Sequence, residues 1–207
     1  MLLQLYGIEE FRRKNSVKFL EKRIREDGLV LPGNVLKVNS FLNHQIDPEL
    51  MNTIGQEFAH LFRDNHITRI LTVESSGIAP AIMTGLALHV PVLFARKTKS
   101  STMNTSLFTA DVYSYTKKVT NTISVDQKFL LQTDNVLVID DFLANGQAVS
   151  GLLEICKQAD AHVEGVGIVV EKAFQNGGQL LRDQGVRLES LARISSFAND
   201  KVHFVSE

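Results

Sequence analysis

The stretch of sequence that decides the fold begins at residue 136 and reads Val136-Leu137-Val138-Ile139-Asp140-Asp141-Phe142-Leu143-Ala144-Asn145-Gly146-Gln147-Ala148. Its continuous apolar run is typical of a buried parallel strand. Two adjacent carboxylates follow, then a turn of small residues and an apolar helical pattern. Open α/β sheets bind ligands at the carboxyl ends of their strands, which is where these acids stand. The segment therefore predicts a binding edge; the alternative is that Asp140-Asp141 opens a solvated loop.

The turn from Ala144 to Ala148 has the composition of a phosphate-binding loop. It carries little side-chain bulk, and Gly146 tolerates a positive φ. The helix predicted after it directs unpaired N–H groups and a partial positive charge at an anion. Carboxylates that accept hydrogen bonds from a diol, placed beside an anion site, suit a ribose phosphate.

Composition narrows the class of protein. A chain of 207 residues with 44% apolar content fits one domain with a substantial core. A net charge of −1 argues against general attraction to nucleic acid or membrane surfaces. The single cysteine excludes an internal disulfide and suits a reducing compartment. No apolar run has the length of a membrane span, and the N-terminus lacks the charge order of a secretory signal, so we expect a cytoplasmic protein.

Helices alternate with apolar strands along most of the chain, which predicts an α/β fold with a parallel sheet. Predicted helices cover 17–27, 48–65, 78–88, 147–159 and 177–183. Predicted strands cover 35–38, 69–73, 90–95, 135–139, 163–170, 187–194 and 202–205. Asp47 is the expected N-cap of the second helix, and Cys156 is an expected core residue. Residues 98–124 are rich in Ser and Thr and break the pattern, which indicates a functional loop or a surface hairpin.

Two further strand ends carry candidate anion-binding residues. The first is Glu74-Ser75-Ser76-Gly77, a polar turn whose backbone N–H groups and hydroxyls suit an anion; the alternative is an ordinary helix N-cap by one of the serines. Glu74 would hold the turn through backbone hydrogen bonds or bind a metal ion that bridges to the ligand. The second is Arg96-Lys97, whose charges suit a leaving anion; the alternative is a solvated basic turn.

Three residues are candidates for recognising a planar base. Leu36 has an apolar face for a ring, Asn43 has both a donor and an acceptor, and Lys172 ends a strand with an ammonium suited to an oxo group. For each residue alone the ordinary alternative is stronger. Leu36 would then be a core residue, Asn43 a turn residue and Lys172 a solvated strand end.

The segment that begins at residue 136 resembles the phosphoribosylpyrophosphate-binding signature of the type I phosphoribosyltransferases. Residues 28–47, 74–80, 139–148 and 189–194 are, more narrowly, similar to the bacterial xanthine phosphoribosyltransferases. The resemblance implies a twisted, mainly parallel sheet with helices on both faces and a small hood from 28–47 and the C-terminal part. It implies one domain over 17–207 with a flexible loop at about 97–125. It also implies a homodimer and Mg²⁺ bound mainly through phosphoribosylpyrophosphate rather than in an all-protein metal site.

The resemblance also implies a role for each candidate residue. Asp140 and Asp141 would contact the ribose hydroxyls, and residues 144–148 would hold the 5′-phosphate. Residues 74–77 would serve the pyrophosphate, and Leu36, Asn43 and Lys172 would contact xanthine. Arg96-Lys97 is assigned to the same pyrophosphate from its charge and from its place before the predicted flexible loop. Ala144 stands where hypoxanthine-guanine enzymes carry an acid, and Asn145 where many relatives carry threonine. Both differences agree with the xanthine enzymes and count against a hypoxanthine-guanine assignment.

Some alternatives stay open at the level of the sequence. The chain could transfer phosphoribose to another purine base, or be a non-catalytic regulator that senses phosphoribosylpyrophosphate. Residues 1–16 have no counterpart in the family pattern and form a predicted N-terminal extension, or reflect a start site assigned too early.

Overall fold

The structure, a computed structural model, describes residues 18–97, 106–114 and 118–206. The predicted extension 1–16 lies outside the described residues, as do parts of the predicted flexible loop. The helices are α1 (18–27), α2 (Pro48–Leu61), α3 (Ile78–Leu88), α4 (Gln147–Gln158) and α5 (Gly177–Asp183), with a π-helix at Asn39–Asn43 and a 3₁₀ turn at Gln127–Phe129. The strands are β1 (Leu29–Leu31), β2 (Val35–Lys37), β3 (Arg69–Val73), β4 (Val92–Ala95), β5 (Leu107–Ser114), β6 (Val119–Asp126), β7 (Asn135–Leu143), β8 (His162–Lys172), β9 (Leu188–Ala198) and β10 (Lys201–Phe204).

A six-stranded sheet in the order β10-β9-β8-β7-β3-β4 forms the centre of the fold. Strands β9, β8, β7, β3 and β4 pair in parallel, and β10 adds an antiparallel edge. The parallel pairing confirms the α/β class predicted from the alternation of helices and strands. The short hairpin β1–β2 and the hairpin β5–β6 stand outside this sheet.

The sheet is covered on both faces by apolar side chains. One buried cluster joins the sheet to α1, α2, α3 and the π-helix, with Phe41 and Phe58 among its largest members. The other joins it to α4, α5 and the β5–β6 hairpin, and it contains Cys156. Burial raises the pKa of the Cys156 thiol to about 12, which keeps it protonated and confirms its place in the core.

Most predicted elements agree with the structure within a few residues, and two differ for clear reasons. Asp47 caps α2 by accepting from two backbone N–H groups, but the helix ends at Leu61 rather than residue 65. Phe62 lies beyond it and is still fully buried, so the apolar spacing there reflects burial and not helix. The strand predicted to end at Ile139 continues to Leu143, because β8 goes on pairing with Phe142 and Leu143.

Strand β8 contains one extra residue relative to β7. Asn135 pairs with His162 and Val136 with Val163, but Leu137 pairs with Gly165, so Glu164 has no partner in the ladder. This irregularity is a β-bulge. Beyond it the strands stay in register to their ends, where Leu143 lies opposite Glu171.

The Ser- and Thr-rich stretch forms the β5–β6 hairpin in its described part. Arg96 and Ser124 exchange backbone hydrogen bonds of 2.9 Å each, which ties β6 to the end of β4. The side chain of Gln158 pairs with the backbone N–H and C=O of Thr109, which ties β5 to α4. The predicted flexibility of residues 97–125 stays a prediction.

Candidate active site

Three neighbouring strands bring the candidate residues to one edge of the sheet. Strand β3 leads into residues 74–77, β7 carries Asp140 and Asp141 and leads into 144–148, and β8 ends at Lys172. Because β8, β7 and β3 are adjacent and parallel, their carboxyl ends meet at the same edge. Segments far apart in sequence therefore converge, as the sequence predicts.

The first of the two acids is buried and the second is half-buried. Asp140 is 4% exposed, and its Oδ1 accepts a hydrogen bond of 3.0 Å from the backbone N–H of Asp141. Burial, and then the negative charge of Asp141, raise the pKa of Asp140 well above its ordinary value. Burial also raises the pKa of Asp141. The pair is costly to hold charged in the absence of a ligand, so the alternative of a solvated loop is wrong.

The loop at residues 74–77 packs directly against Asp140. A Cβ on Gly77 would lie 2.9 Å from Asp140 Oδ1, so only glycine permits this approach. Glu74 Oε1 accepts from the backbone N–H of Lys97 at 2.5 Å, which holds the turn against the end of β4. The N-cap of α3 is Gly77, with no side-chain hydrogen bond. Ser75 and Ser76 are therefore not caps of this helix, and the peptide bond between Glu74 and Ser75 is cis.

The loop at residues 144–148 has the backbone of an anion site. Gly146 has φ 79°, in the left-handed region that favours glycine, and it starts α4 without a side-chain cap. The first N–H groups of α4 are thus not occupied by a capping side chain and are directed at the cavity edge. The loop is fixed from behind, because the Gly177 N–H donates to the Ala144 carbonyl at 3.0 Å.

A cavity of about 550 Å³ lies in front of the 144–148 loop, whereas Asp140, Asp141, Arg96 and residues 74–77 are not among the residues that line it. Its walls come from the β1–β2 turn, the β5–β6 hairpin, the end of β7, the start of α4 and the end of β8. The lining residues are Gly33, Asn34, Val35, Val73, Lys97, Val112, Tyr113, Asn121, Ile123, Phe142, Leu143, Ala144, Asn145, Gly146, Gln147, Ala148, Val149, Lys172 and Gln175. All five residues of the predicted phosphate loop, with Lys97 and Lys172, therefore face one space.

Lys172 is held at the far wall of this cavity. Its Nζ donates to the Asn34 carbonyl at 2.9 Å and lies 6.0 Å from the centre of the Phe142 ring. Burial lowers the pKa of Lys172. The ammonium keeps donors beyond the one given to Asn34, so it is placed to meet an acceptor in the cavity. Lys172 is half-buried and hydrogen-bonded rather than fully solvated, and its contact with a base stays a prediction.

The structure does not bring the other two base candidates into the cavity. Leu36 is 6% exposed and belongs to the core, where its Cδ1 approaches Gly28. Asn43 is exposed at the end of the π-helix. Neither lines the cavity, and their contact with a base stays a prediction.

Two basic residues, Arg96 and Lys97, follow the end of β4. Lys97 lines the cavity, and its charge lowers the pKa of both Asp140 and Asp141 against the larger effect of burial. Arg96 is half-buried and tied to β6 through Ser124. Of these two residues, only Lys97 lines the cavity, and it does so on the side where the pyrophosphate is predicted.

Sequence reasoning missed three residues that shape this site. Asn34 supplies the carbonyl that holds Lys172, Phe142 provides an aromatic face, and Gly177 supports the phosphate loop. The first lies in Pro32-Gly33-Asn34, a turn signature between short strands that could have been recognised. The second follows the paired acids directly. No local pattern marks Gly177, because its role depends on a contact with a distant loop.

Three other observations complete the description. A larger groove of about 770 Å³ lies between α1 and β10, but it contains none of the predicted site residues. Within the described residues there is no cluster of three or more His, Cys, Asp or Glu side chains arranged to hold a metal ion. In the same part of the chain, no helix is long and apolar enough to cross a membrane.

Comparison with known proteins identifies the family. The chain is 68% identical over 191 residues to the xanthine phosphoribosyltransferase of Ligilactobacillus salivarius, covering 92% of this chain and 100% of that protein. It is 66% identical over 188 residues to the enzyme of the same name from Lactiplantibacillus plantarum, covering 91% and 96%. The chain belongs to the xanthine phosphoribosyltransferase family. No family model matches the chain.

Solved structures show the fold of this family member. The adenine phosphoribosyltransferase of Rhodothermus marinus superposes with a TM-score of 0.70 at 19% identity, covering 87% of this chain and 99% of that one. The adenine phosphoribosyltransferase of Trypanosoma brucei, solved with AMP, pyrophosphate and ribose-5-phosphate, gives 0.70 at 20% identity, covering 84% and 79%. The type I phosphoribosyltransferase fold expected from the resemblance is confirmed.

Proposed function

We propose that this chain transfers the 5-phosphoribosyl group from phosphoribosylpyrophosphate to xanthine, giving xanthosine 5′-monophosphate and pyrophosphate in purine salvage. The observation that carries the proposal is the shared cavity, which is lined by the 144–148 loop, by Lys172 and by Phe142, the residue after the paired acids. Membership of the xanthine phosphoribosyltransferase family supports the choice of base.

In the proposed reaction, a ring nitrogen of xanthine bonds to the anomeric carbon while the bond from that carbon to pyrophosphate breaks. The proton of the attacking nitrogen leaves to solvent. Positive charge builds on the ribose, so the paired acids of β7 are placed to stabilise it and to accept from the ribose hydroxyls. Burial and, after it, repulsion from Asp141 raise the pKa of Asp140, and the repulsion is relieved when positive charge develops beside the pair.

The two loops divide the phosphate groups between them. The N–H groups at the start of α4 suit the 5′-phosphate, because residues 144–148 combine a left-handed glycine with an uncapped helix start. Residues 74–77 and Lys97 lie toward β4 and suit the pyrophosphate. Holding both ends of the substrate fixes the anomeric carbon between them, which is how positioning contributes to rate.

Magnesium fits this arrangement as a cation carried by the substrate. Asp140, Asp141 and Glu74 supply carboxylates near the proposed pyrophosphate position, whereas the described residues contain no three-ligand cluster. When bound, Mg²⁺ neutralises the leaving pyrophosphate. The chain's own contribution is to orient the substrate and keep the acids dry.

Lys172 is proposed to read the base. Its Nζ is fixed by Asn34, so its remaining donors have a defined direction toward an oxo group of xanthine. An amino group at the same position would oppose donor to donor and leave a buried donor unpaired. Leu36 and Asn43 are proposed to join the base from the β1–β2 side.

The test is a turnover assay with purified protein, phosphoribosylpyrophosphate, Mg²⁺ and xanthine, guanine, hypoxanthine or adenine in parallel. We expect xanthine to be the best substrate and adenine to be essentially unused. Faster use of another base assigns the chain to that base. Binding of phosphoribosylpyrophosphate without turnover of any base assigns it a sensing role. We also propose a cytoplasmic homodimer, which light scattering after size-exclusion chromatography tests for the assembly.

A further inference from the structure

We propose that Gly177 is a positioning residue that sets the place of the 144–148 loop, and that an ion cluster formed by the buried Glu171 with Arg182 and Arg193 holds Gly177 there. The inference rests on the proposed function in that it takes 144–148 as the 5′-phosphate loop. It assigns a task to residues that lie behind the cavity and touch no substrate.

The ion cluster fixes α5 to the end of β8. Glu171 is 1% exposed, and its two oxygens accept from Arg182 Nη1 and Nη2 at 2.8 Å each. Arg193 Nε donates to the same carboxylate at 3.1 Å. Burial alone would raise the pKa of Glu171, but the hydrogen bonds and charges of its partners lower it, so the carboxylate is charged. A two-pronged contact of this kind fixes orientation as well as distance.

Two adjacent glycines lie between this cluster and the phosphate loop. A Cβ on Gly178 would lie 2.2 Å from Glu171 Oε1 and 2.7 Å from Arg182 Nη1. A Cβ on Gly177 would lie 2.4 Å from the Ala144 carbonyl oxygen and 2.6 Å from Gly146 N. The start of α5 is therefore packed against the cluster on one side and against the loop backbone on the other.

The contact with the loop is a hydrogen bond as well as close packing. The Gly177 N–H donates to the Ala144 carbonyl at 3.0 Å, at the point where β7 passes into the loop. The Gly146 backbone that begins α4 sits on the same glycine. Displacing Gly177 consequently displaces the N–H groups that face the proposed 5′-phosphate. Because Glu171 precedes Lys172 on β8, the same strand end that holds the base-side ammonium also anchors this support.

The decisive variant is Gly177→Ala. Its Cβ starts 2.4 Å from a carbonyl oxygen, so reaching an ordinary contact of 3.4 Å requires the loop to move by about 1 Å. A misplacement of that size suffices for large losses, and we expect about tenfold weaker binding or more. The measurement is calorimetry with three separate probes: ribose 5-phosphate, phosphoribosylpyrophosphate and Mg-pyrophosphate. These affinities are read without turnover, so the test is independent of which base is transferred.

The expected pattern distinguishes positioning from general damage. Binding of ribose 5-phosphate and of phosphoribosylpyrophosphate should weaken together. Mg-pyrophosphate should bind as in the wild type, because residues 74–77 follow β3, on the side of β7 away from β8, whereas Gly177 packs on the 144–146 backbone. The matched control is Gly55→Ala, whose Cβ would lie 2.5 Å from the Met83 backbone between α2 and α3. It introduces a similar clash away from the loop and should lower thermal stability without changing any of the three affinities.

Arg182→Lys tests the ion cluster and remains informative if Gly177→Ala does not fold. Lysine keeps the charge but loses the two-pronged contact, so ribose 5-phosphate should bind more weakly, by a smaller factor than in Gly177→Ala. Wild-type affinity for ribose 5-phosphate in either folded variant overturns the proposal. Equal weakening of all three probes overturns it as well, because that result indicates a loosened fold.

Discussion

Replacing Gly146 by valine separates backbone strain from phosphate binding. The residue has φ 79°, where a β-branched side chain is strongly disfavoured, at a cost of about 1–3 kcal/mol. For a domain of this size that corresponds to a loss of about 2–4 °C in melting temperature for each kcal/mol. The new Cβ would also lie 3.3 Å from Gly177 Cα, so the loop must shift while it carries the strain.

The shift should weaken phosphoribosylpyrophosphate binding well beyond the loss of stability. One lost hydrogen bond to a charged phosphate is worth about 1.5–3 kcal/mol, which is about ten- to a hundredfold in dissociation constant. Calorimetry gives the affinity directly. Thermal melts with and without the ligand give it a second time, because ligand stabilisation falls when affinity falls.

Gly185→Val is the matched control for this variant. Gly185 has φ 77°, and a Cβ there would meet nothing within 4 Å. The control should lose a similar amount of stability and bind phosphoribosylpyrophosphate like the wild type. If Gly146→Val kept wild-type affinity, or if Gly185→Val lost as much, the assignment of 144–148 as the phosphate loop would be refuted.

Three further predictions concern charged residues of the site and its support. Asp141→Asn should lower turnover by about tenfold or more with little change in substrate binding; steady-state kinetics at wild-type values would mean that the acid is structural. Lys172→Ala should reduce the use of xanthine far more than the affinity for phosphoribosylpyrophosphate, and equal losses would contradict base recognition. The unliganded variants Asp140→Asn and Glu171→Gln should shift stability in opposite directions at neutral pH. Asp140 has a raised pKa, so its charge opposes folding once the pH exceeds the ordinary value of 3.8, and its removal should raise the melting temperature. Glu171 has a lowered pKa and stabilises the fold above the ordinary value of 4.5, so its variant should melt earlier, with a difference that shrinks as pH falls through the lowered pKa. Melts of both variants from pH 4 to 8 check the two signs.

The sequence predicts those parts of the site that depend on one continuous segment. The run from Val136 to Ala148 contains its own strand, acids, turn and helix start, so local rules suffice to recognise it. The same holds for Asp47, whose capping role follows from the proline after it. The end of β7 is not predicted correctly. Asp140 and Asp141 have the character of residues after a strand, and only the pairing with β8 shows that the strand continues through them.

Contacts between distant segments could not be read from the sequence. Lys172 and Asn34 are far apart in the chain, and only the folded β1–β2 turn brings that carbonyl within 2.9 Å of the ammonium. The contact of Gly177 with the 144–148 loop is likewise not predictable, because an isolated Gly-Gly pair in a sequence suggests flexibility rather than close packing. Leu36 presents a different difficulty. Its apolar side chain is equally compatible with burial in the core and with contact to a base, and in the structure it is buried.

The unpaired Glu164 in β8 decides which charge faces the cavity. Before it, β7 and β8 pair with an offset of 27 residues, as in Asn135 with His162; after it the offset is 28, as in Leu143 with Glu171. At the earlier offset Val170 would stand opposite Leu143, and every later residue of β8 would advance by one place. The carboxylate of Glu171 would then stand where the ammonium of Lys172 now stands, because a slip of one residue exchanges the two sides of a strand. A single inserted residue, seven positions before Glu171 and remote from any substrate, thereby selects a cation over an anion at the base end of the cavity.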